Sequence, residues 1–374
     1  MVAPNLGLED VVVGTSTICD VNGKTGQLIY RGYDIHDLVA HTTFEEVVYL
    51  LWHEDLPTRA QLTEIDTQLK VSRPLPDSVI DLMKKLPKDA NAMDVLRTVV
   101  SYLGILDPDG RESSLESTKR KALRLTAQIP TAVGAWGRIR EGKDPVAPDR
   151  NLSAAANLLY MLTGEKPDDY AARTMDVALI LHADHEYNAS TFSARVTIAT
   201  LSDLYDAITA AIGTLSGPLH GGANEQVMKM LLEVGNEEAA DQWIRDALAR
   251  KARIMGFGHR VYKTDDPRAV ELKEMSRELG ERTNQPQWFR MSDRIQKIML
   301  EEKGLYANVD FYSASAYYAM GIPIDLYTPL FAASRISGWS AHVMEQLENN
   351  RLIRPRSEYA GPRDKAVVPL DQRH

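Results

Sequence analysis

Helical patterning, punctuated by residues that cap helices, runs through most of this chain and leaves little room for a sheet. At Thr43-Phe44-Glu45-Glu46 a threonine stands three residues before a glutamate, the spacing at which each side chain can accept the other's backbone N–H. Phe44, Val47, Val48, Leu51 and Trp52 then recur at helical period until Pro57 ends the segment. Residues 153–162 are rich in Ala and Leu and stop at Gly164. Residues 174–184 and 194–212 are predicted as long, largely buried helices, and 241–253 as a more exposed one. Strand signals are confined to 11–18 and 27–30, on either side of Asn22-Gly23, a dipeptide suited to a hairpin turn. The Pro- and charge-rich stretches 141–150 and 280–286 read as surface loops. No repeat of solenoid period is present. The pattern predicts a mainly α globular protein with a minor N-terminal hairpin.

Bulk properties narrow the class of function. At 374 residues the chain can bury a large core and has room for two or three domains. Its net charge of −9 argues against general nucleic-acid binding, which needs a basic face, but local arginine clusters can still hold small anions. The longest apolar runs, such as residues 47–52, are far too short to span a bilayer, so no membrane role is expected. Met1 to Asp10 shows neither the basic region nor the apolar stretch of a secretion leader. A single cysteine, Cys19, excludes an internal disulfide and suits a reducing cytoplasm. Asn188-Ala189-Ser190 has the form of a glycosylation sequon, but without a leader it is not read as one.

Three separated segments carry groups that can move protons: Gly217-Pro218-Leu219-His220-Gly221-Gly222, Gly256-Phe257-Gly258-His259-Arg260-Val261-Tyr262-Lys263, and Asn308-Val309-Asp310-Phe311-Tyr312-Ser313. Glycines beside a histidine mark backbone that approaches something closely or takes angles other residues avoid. Two histidines and a carboxylate are the equipment for removing a carbon-bound proton and stabilising the enolate that results. The apolar residues Val309, Phe311, Tyr312, Ala314 and Ala316 around Asp310 would desolvate the carboxylate and make it a stronger base.

These segments, with Leu181-His182-Ala183-Asp184-His185-Glu186, Asp266-Pro267-Arg268 and Arg354-Pro355-Arg356-Ser357, closely resemble the citrate synthase family over nearly the whole chain. The resemblance implies a large, discontinuous helical domain (residues 1–216 and 325–374) and a small helical domain (217–324) that closes over the substrates. It implies condensation of acetyl-CoA with oxaloacetate and hydrolysis of citryl-CoA, the acyltransferase step of the tricarboxylic acid cycle, with acetyl-CoA as substrate and no separate cofactor. Asp310 would take the methyl proton. His220, kept neutral by a helix N-terminus, would hydrogen-bond the thioester oxygen, and His259 would serve the ketone of oxaloacetate. His185, Arg268 and Arg335 would hold the dianion, with Arg354 donated by the second subunit of a homodimer. The chain begins without the extra N-terminal domain of larger, NADH-inhibited relatives, so a dimer rather than a hexamer is expected. Coenzyme A would lie along Met255, Gly256, Phe257 and Gly258, with Asn308, Lys263, Arg260 and Arg356 as further contacts.

Two patterns point elsewhere. Gly256-Phe257-Gly258 begins like a dinucleotide fingerprint but lacks the third glycine and the βαβ setting. His182, Asp184, His185 and Glu186 have the spacing of metal ligands on one helix, which would suit a metal-dependent hydrolase. The resemblance instead makes them a metal-free, hydrogen-bonded floor of the site. Two further alternatives remain open: a 2-methylcitrate synthase running the same chemistry on propionyl-CoA, and an all-α scaffold without chemistry. One methyl group is worth only about 1–3 kcal/mol of discrimination, and motifs do not report it.

Overall fold

The computed structural model describes residues 6–8 and 11–373, so most of the Met1–Asp10 stretch considered above lies outside it. Three short strands come first: β1 (Cys19–Asn22), β2 (Gln27–Tyr30) and β3 (Tyr33–Asp34). They form an antiparallel sheet in which Cys19 faces Tyr30 and Asn22 faces Gln27. The turn forms where Asn22-Gly23 predicts it, with Asn22 Oδ1 accepting the N–H groups of Lys24 and Thr25. The strand expected over 11–18 is absent. That stretch is mostly exposed and joins no strand of the sheet, which starts only at Cys19.

Sixteen helices follow among the described residues. The first group is α1 (Ile35–His41), α2 (Phe44–His53), α3 (Arg59–Ser72), α4 (Asp77–Lys85) and α5 (Ala92–Leu106). Next come α6 (Leu115–Ile139), α7 (Ala154–Thr163), α8 (Asp169–His182), α9 (Ala189–Ile198) and α10 (Leu204–Leu215). The third group is α11 (Ala223–Val234), α12 (Glu237–Ala249), α13 (Pro267–Arg282), α14 (Pro286–Lys303) and α15 (Val309–Ala319). The last is α16 (Tyr327–Glu348). The mainly α fold is thus as the periodicity predicts.

Local signals act as expected where they are self-contained. Thr43 and Glu46 form the reciprocal capping box of α2. Ser153 caps α7, and Gly164, at φ 87°, ends it in the left-handed region. The stretch 194–212 is not one helix. Leu201 sits at φ 63°, and Asp203 accepts the Asp206 N–H to start α10, so the apolar period continues across a break. Gly280 belongs to α13 rather than to a loop, packed against the Gln285 carbonyl, which leaves only 283–285 as the connection. α12 begins and ends four residues before the predicted span.

α16 is buried along nearly all of its 22 residues and packs against α2, α5, α6, α8, α9, α10 and α11. A helix apolar on every face needs such a sheath. No helix among the described residues is long and apolar enough to cross a membrane. α11 to α15 pack chiefly on one another, and α13 also touches α1 and α8. The functional side chains converge along this seam, between α8 and α16 on one side and the loops preceding α11, α13 and α15 on the other.

Candidate active site

Asp310 occupies the first turn of α15, whose cap is Asn308: the Asn308 Oδ1 accepts the Asp310 N–H at 3.1 Å. Asn308 also donates its side-chain N–H to the Gly258 carbonyl (3.1 Å) and its backbone N–H to the Gly256 carbonyl (2.9 Å). The glycine loop is thereby tied to the helix that carries the carboxylate. Gly256 is at φ 81°, and a Cβ there would meet Val227 Cγ2 at 2.7 Å and Phe311 Cδ2 at 2.8 Å, so no other residue fits. Both ends of the Asn308 amide are therefore committed to protein groups, which makes it a strut between loop and helix.

Asp310 is 8% exposed, and its Oδ1 has no hydrogen-bond partner among the described residues. Burial pushes its pKa up to about 7, against the opposing pull of Arg268 and Arg335. A carboxylate held there is a far better base than an exposed one, and it is still ionised in useful proportion at neutral pH.

Two histidines are held in single tautomers by backbone N–H groups, which can only donate. Ser190 N–H points at His220 Nε2 (3.2 Å), so that nitrogen accepts and Nδ1 carries the proton. Ser190 Oγ lies 2.8 Å from the same nitrogen and also receives Trp339 Nε1–H at 3.1 Å. In His259 the roles are reversed. Val261 N–H and Tyr262 N–H both reach Nδ1 (3.1 and 3.2 Å), leaving the proton on Nε2. Burial lowers the pKa of each imidazole to about 4, helped by Arg335 at His220 and by Arg268 at His259. His220 is thus neutral as expected, but for a different reason: α11 starts only at Ala223, and burial with the Arg335 charge does what the helix N-terminus was expected to do.

The cations are of two kinds. Arg268 is clamped by Asp266, its Nε 3.0 Å from Oδ1 and its Nη2 2.8 Å from Oδ2, with both side chains buried. Burial works against its charge, but Asp266 more than offsets that and the guanidinium holds its proton more tightly than usual. Its Nη1 makes no hydrogen bond to a described residue. Arg335, 1% exposed, donates only Nε, to the His182 carbonyl at 2.6 Å, and forms no ion pair with a described residue. Burial lowers its pKa to about 10 although Asp184 opposes the shift. An unpaired guanidinium at this depth is a site for an anion. Arg268 and Arg335 both act on His182, His185 and Asp310, with Arg268 the stronger at each, while His259 feels Arg268 and His220 feels Arg335.

His185 is 7% exposed and packs edge-on against His259, with ring centroids 5.1 Å apart. Burial, then Arg268, drive its pKa well below the ordinary value. His182 ends α8 and donates Nδ1–H to the Ala178 carbonyl at 2.7 Å. Asp184, His185 and Glu186 lie beyond that helix, so the four residues read as metal ligands on one helix do not share one. Asp184 is instead paired with His342 Nε2 at 3.1 Å, both fully buried. Among the described residues no three His, Cys, Asp or Glu side chains converge as metal ligands do.

Sequence reasoning missed Ser190, Tyr262, Asp266 and the Asp184–His342 pair. Asp266 had a legible signal, an acidic residue before Pro at a helix start. The others act through partners up to 158 residues away and carry no local mark.

The remaining predicted residues stand apart from this cluster in the single chain. Lys263 and Arg260 are exposed, the Lys263 ammonium on the Arg260 carbonyl. Arg354 and Arg356 are exposed on a C-terminal segment, residues 350–369, that has no regular structure.

Comparison with known proteins decides the family. Residues 7–356 match the model of the citrate synthase C-terminal domain. The chain belongs to the citrate synthase family. It is 51% identical to citrate synthase 2 of Bacillus subtilis, over 98% of each chain. It is 44% identical to 2-methylcitrate synthase 1 of Corynebacterium glutamicum, again over 98% of both. The fold superimposes with a TM-score of 0.93 on a Thermoplasma acidophilum citrate synthase solved with carboxymethyl coenzyme A and oxaloacetate, at 32% identity and 98% coverage of each chain. As a citrate synthase family member the protein is an acyltransferase with the family's all-α fold.

Proposed function

We propose that this protein condenses acetyl-CoA with oxaloacetate and hydrolyses the citryl thioester, releasing citrate and coenzyme A. The observation that carries this reading is Asp310, a buried carboxylate with a pKa of about 7 and an oxygen without a hydrogen-bond partner among the described residues, which shares its cationic neighbours Arg268 and Arg335 with two neutral histidines that each keep an N–H. Asp310 removes a proton from the acetyl methyl group while His220 Nδ1–H hydrogen-bonds the thioester oxygen on which enolate charge develops. The new carbon nucleophile attacks the oxaloacetate ketone, and His259 Nε2–H supports the oxygen that becomes the hydroxyl. Water then cleaves the thioester. Arg335, the free edge of Arg268 and His185 hold the two carboxylates.

Coenzyme A is assigned to the backbone of 255–258, with Lys263, Arg260 and Arg356 as candidate phosphate contacts. Residues 217–324 form the closing domain in this reading, and 1–216 with 325–374 the larger one. That division is supported by the mutual packing of α11 to α15 and by the split of the site, with His220, His259 and Asp310 on one part and His185 and Arg335 on the other. Closure would exclude water during condensation. Arg354, exposed in the single chain, is assigned to the site of a second copy in a homodimer. A cytoplasmic enzyme is the matching location.

Thiol release from acetyl-CoA and from propionyl-CoA, each with and without oxaloacetate, tests the reading. Release that depends on oxaloacetate, with the larger kcat/KM for acetyl-CoA, is the expected result. A larger value for propionyl-CoA would make the chain a 2-methylcitrate synthase, the activity named for its Corynebacterium relative. Release without oxaloacetate, lost on chelation, would indicate a metal-dependent hydrolase instead.

A further inference from the structure

Backbone N–H groups decide which nitrogen carries the proton in His220 and His259, but in His185 a side chain decides it. His185 Nε2 lies 3.2 Å from the Tyr262 hydroxyl, and that is the hydroxyl's sole hydrogen-bond partner among the described residues. Tyr262 is 4% exposed, so its O–H proton has no solvent to turn to. If the hydroxyl accepted from Nε2–H, its own proton would be buried without an acceptor, an arrangement folded proteins avoid. Burial raises the phenol's pKa, so the proton is present to be donated. Burial and the neighbouring charges of Arg268 and Arg335 keep His185 neutral, and a neutral imidazole has one donor and one acceptor. An anionic ligand can use only the donor.

We propose that Tyr262 is a positioning residue: its hydroxyl donates to His185 Nε2 and so holds the imidazole with its proton on Nδ1, as a donor for the dianionic keto acid. The proposal rests on the assignment of His185 as an oxaloacetate contact. Tyr262 thus serves two histidines through separate groups, its backbone N–H on His259 Nδ1 and its hydroxyl on His185 Nε2. Its ring also packs 4.8 Å from His259 and lies under the Arg268 guanidinium at 5.9 Å. Tyr262→Phe removes the hydroxyl alone and keeps the ring and the backbone contact, so His259 is an internal control. Without the phenol the two tautomers of His185 compete, and a fraction of molecules turns a lone pair toward a carboxylate.

The test combines side-chain ¹⁵N NMR of histidine-labelled full-length protein with steady-state kinetics. The His185 signals are assigned by their loss in His185→Asn. The wild type should show His185 protonated on Nδ1 with an unprotonated Nε2. Tyr262→Phe should show a mixture, while the His259 signals keep their tautomer. Its KM for oxaloacetate should rise about tenfold, the effect of a weakened charge-assisted hydrogen bond. kcat and the acetyl-CoA KM should stay within about threefold. A wild-type spectrum with the proton on Nε2 overturns the proposal whether or not the variant folds, as does an unchanged tautomer in Tyr262→Phe. A shifted tautomer with unchanged oxaloacetate KM would remove His185 from the substrate and overturn the purpose assigned to the lock, leaving the hydrogen bond itself intact.

Discussion

Replacing Asp310 with Asn should make the protein more stable as pH rises, relative to the wild type. The cause is the energy stored in a buried carboxylate. In the fold its pKa is about 7, against an ordinary 3.8 in the unfolded chain, a difference of about three units. Below pH ~4 both states hold the proton and the group contributes nothing to the pH dependence. Between pH 4 and 7 the unfolded chain loses its proton while the folded one keeps it, so rising pH favours unfolding. Above 7 both are ionised and the full penalty stands, about 4 kcal/mol at 1.36 kcal/mol per unit. Asn is close in size and never ionises, so only the wild type carries this slope. From pH 5 to pH 8 the remaining two units should widen the variant's advantage by about 3 kcal/mol. Urea denaturation of both proteins at one protein concentration, at pH 5, 6, 7 and 8, measures the gap directly. Any constant effect of the amide cancels, because only the change with pH is read. A gap that stays flat would show that Asp310 is already ionised at pH 5 in the fold, and the account of it as a base strengthened by burial would fall. In the wild type, kcat/KM should correspondingly rise with pH through a limb near 7.

Four more outcomes follow from the same geometry. Arg335→Gln removes one of the two cations that pull down the pKa of Asp310, so in the pH–rate profile the acidic limb should move above 7 while the oxaloacetate KM rises about a hundredfold; an unmoved limb would contradict the coupling. Ser190→Ala removes one of two groups on His220 Nε2 and keeps the backbone N–H, so kcat should fall about fivefold, the worth of one hydrogen bond of ~1 kcal/mol, with substrate KM values little changed in steady-state assays. Gly338→Ala would drive a Cβ against the Ala183 carbonyl and Asp184 Oδ1 where α16 crosses the end of α8, and thermal or urea unfolding should show a loss of about 1–3 kcal/mol. If Arg354 completes the site of a second copy, refolding a mixture of Arg354→Ala and Asp310→Asn chains should recover about a quarter of wild-type activity, from one intact site in the half of dimers that are mixed, whereas no recovery would return Arg354 to its own chain.

Much of the fold was legible because its signals are local. The α2 capping box, the Ser153 start and Gly164 stop of α7, and the Asn22 turn each close hydrogen bonds within a few residues. The errors arose where a local pattern continued through a tertiary decision. Apolar spacing runs from 194 to 212 without interruption, but the backbone turns at Leu201 so that α9 and α10 can pack on each other. The β-rich composition of 11–18 signals a strand, but a strand also requires a partner and the sheet supplies none there.

The sequence by itself determined the helical class, the self-contained caps of α2 and α7 and the motifs that carry His220, His259 and Asp310, since these depend on groups a few residues apart. Only the tertiary structure decided what those residues can do. The raised pKa of Asp310, the opposite tautomers of His220 and His259, and the unpaired charge of Arg335 come from burial and from donors, or their absence, at positions as far as 153 residues along the chain. Protonation is set by the dielectric and the hydrogen-bond partners around a group, and both come into being only when distant segments pack together.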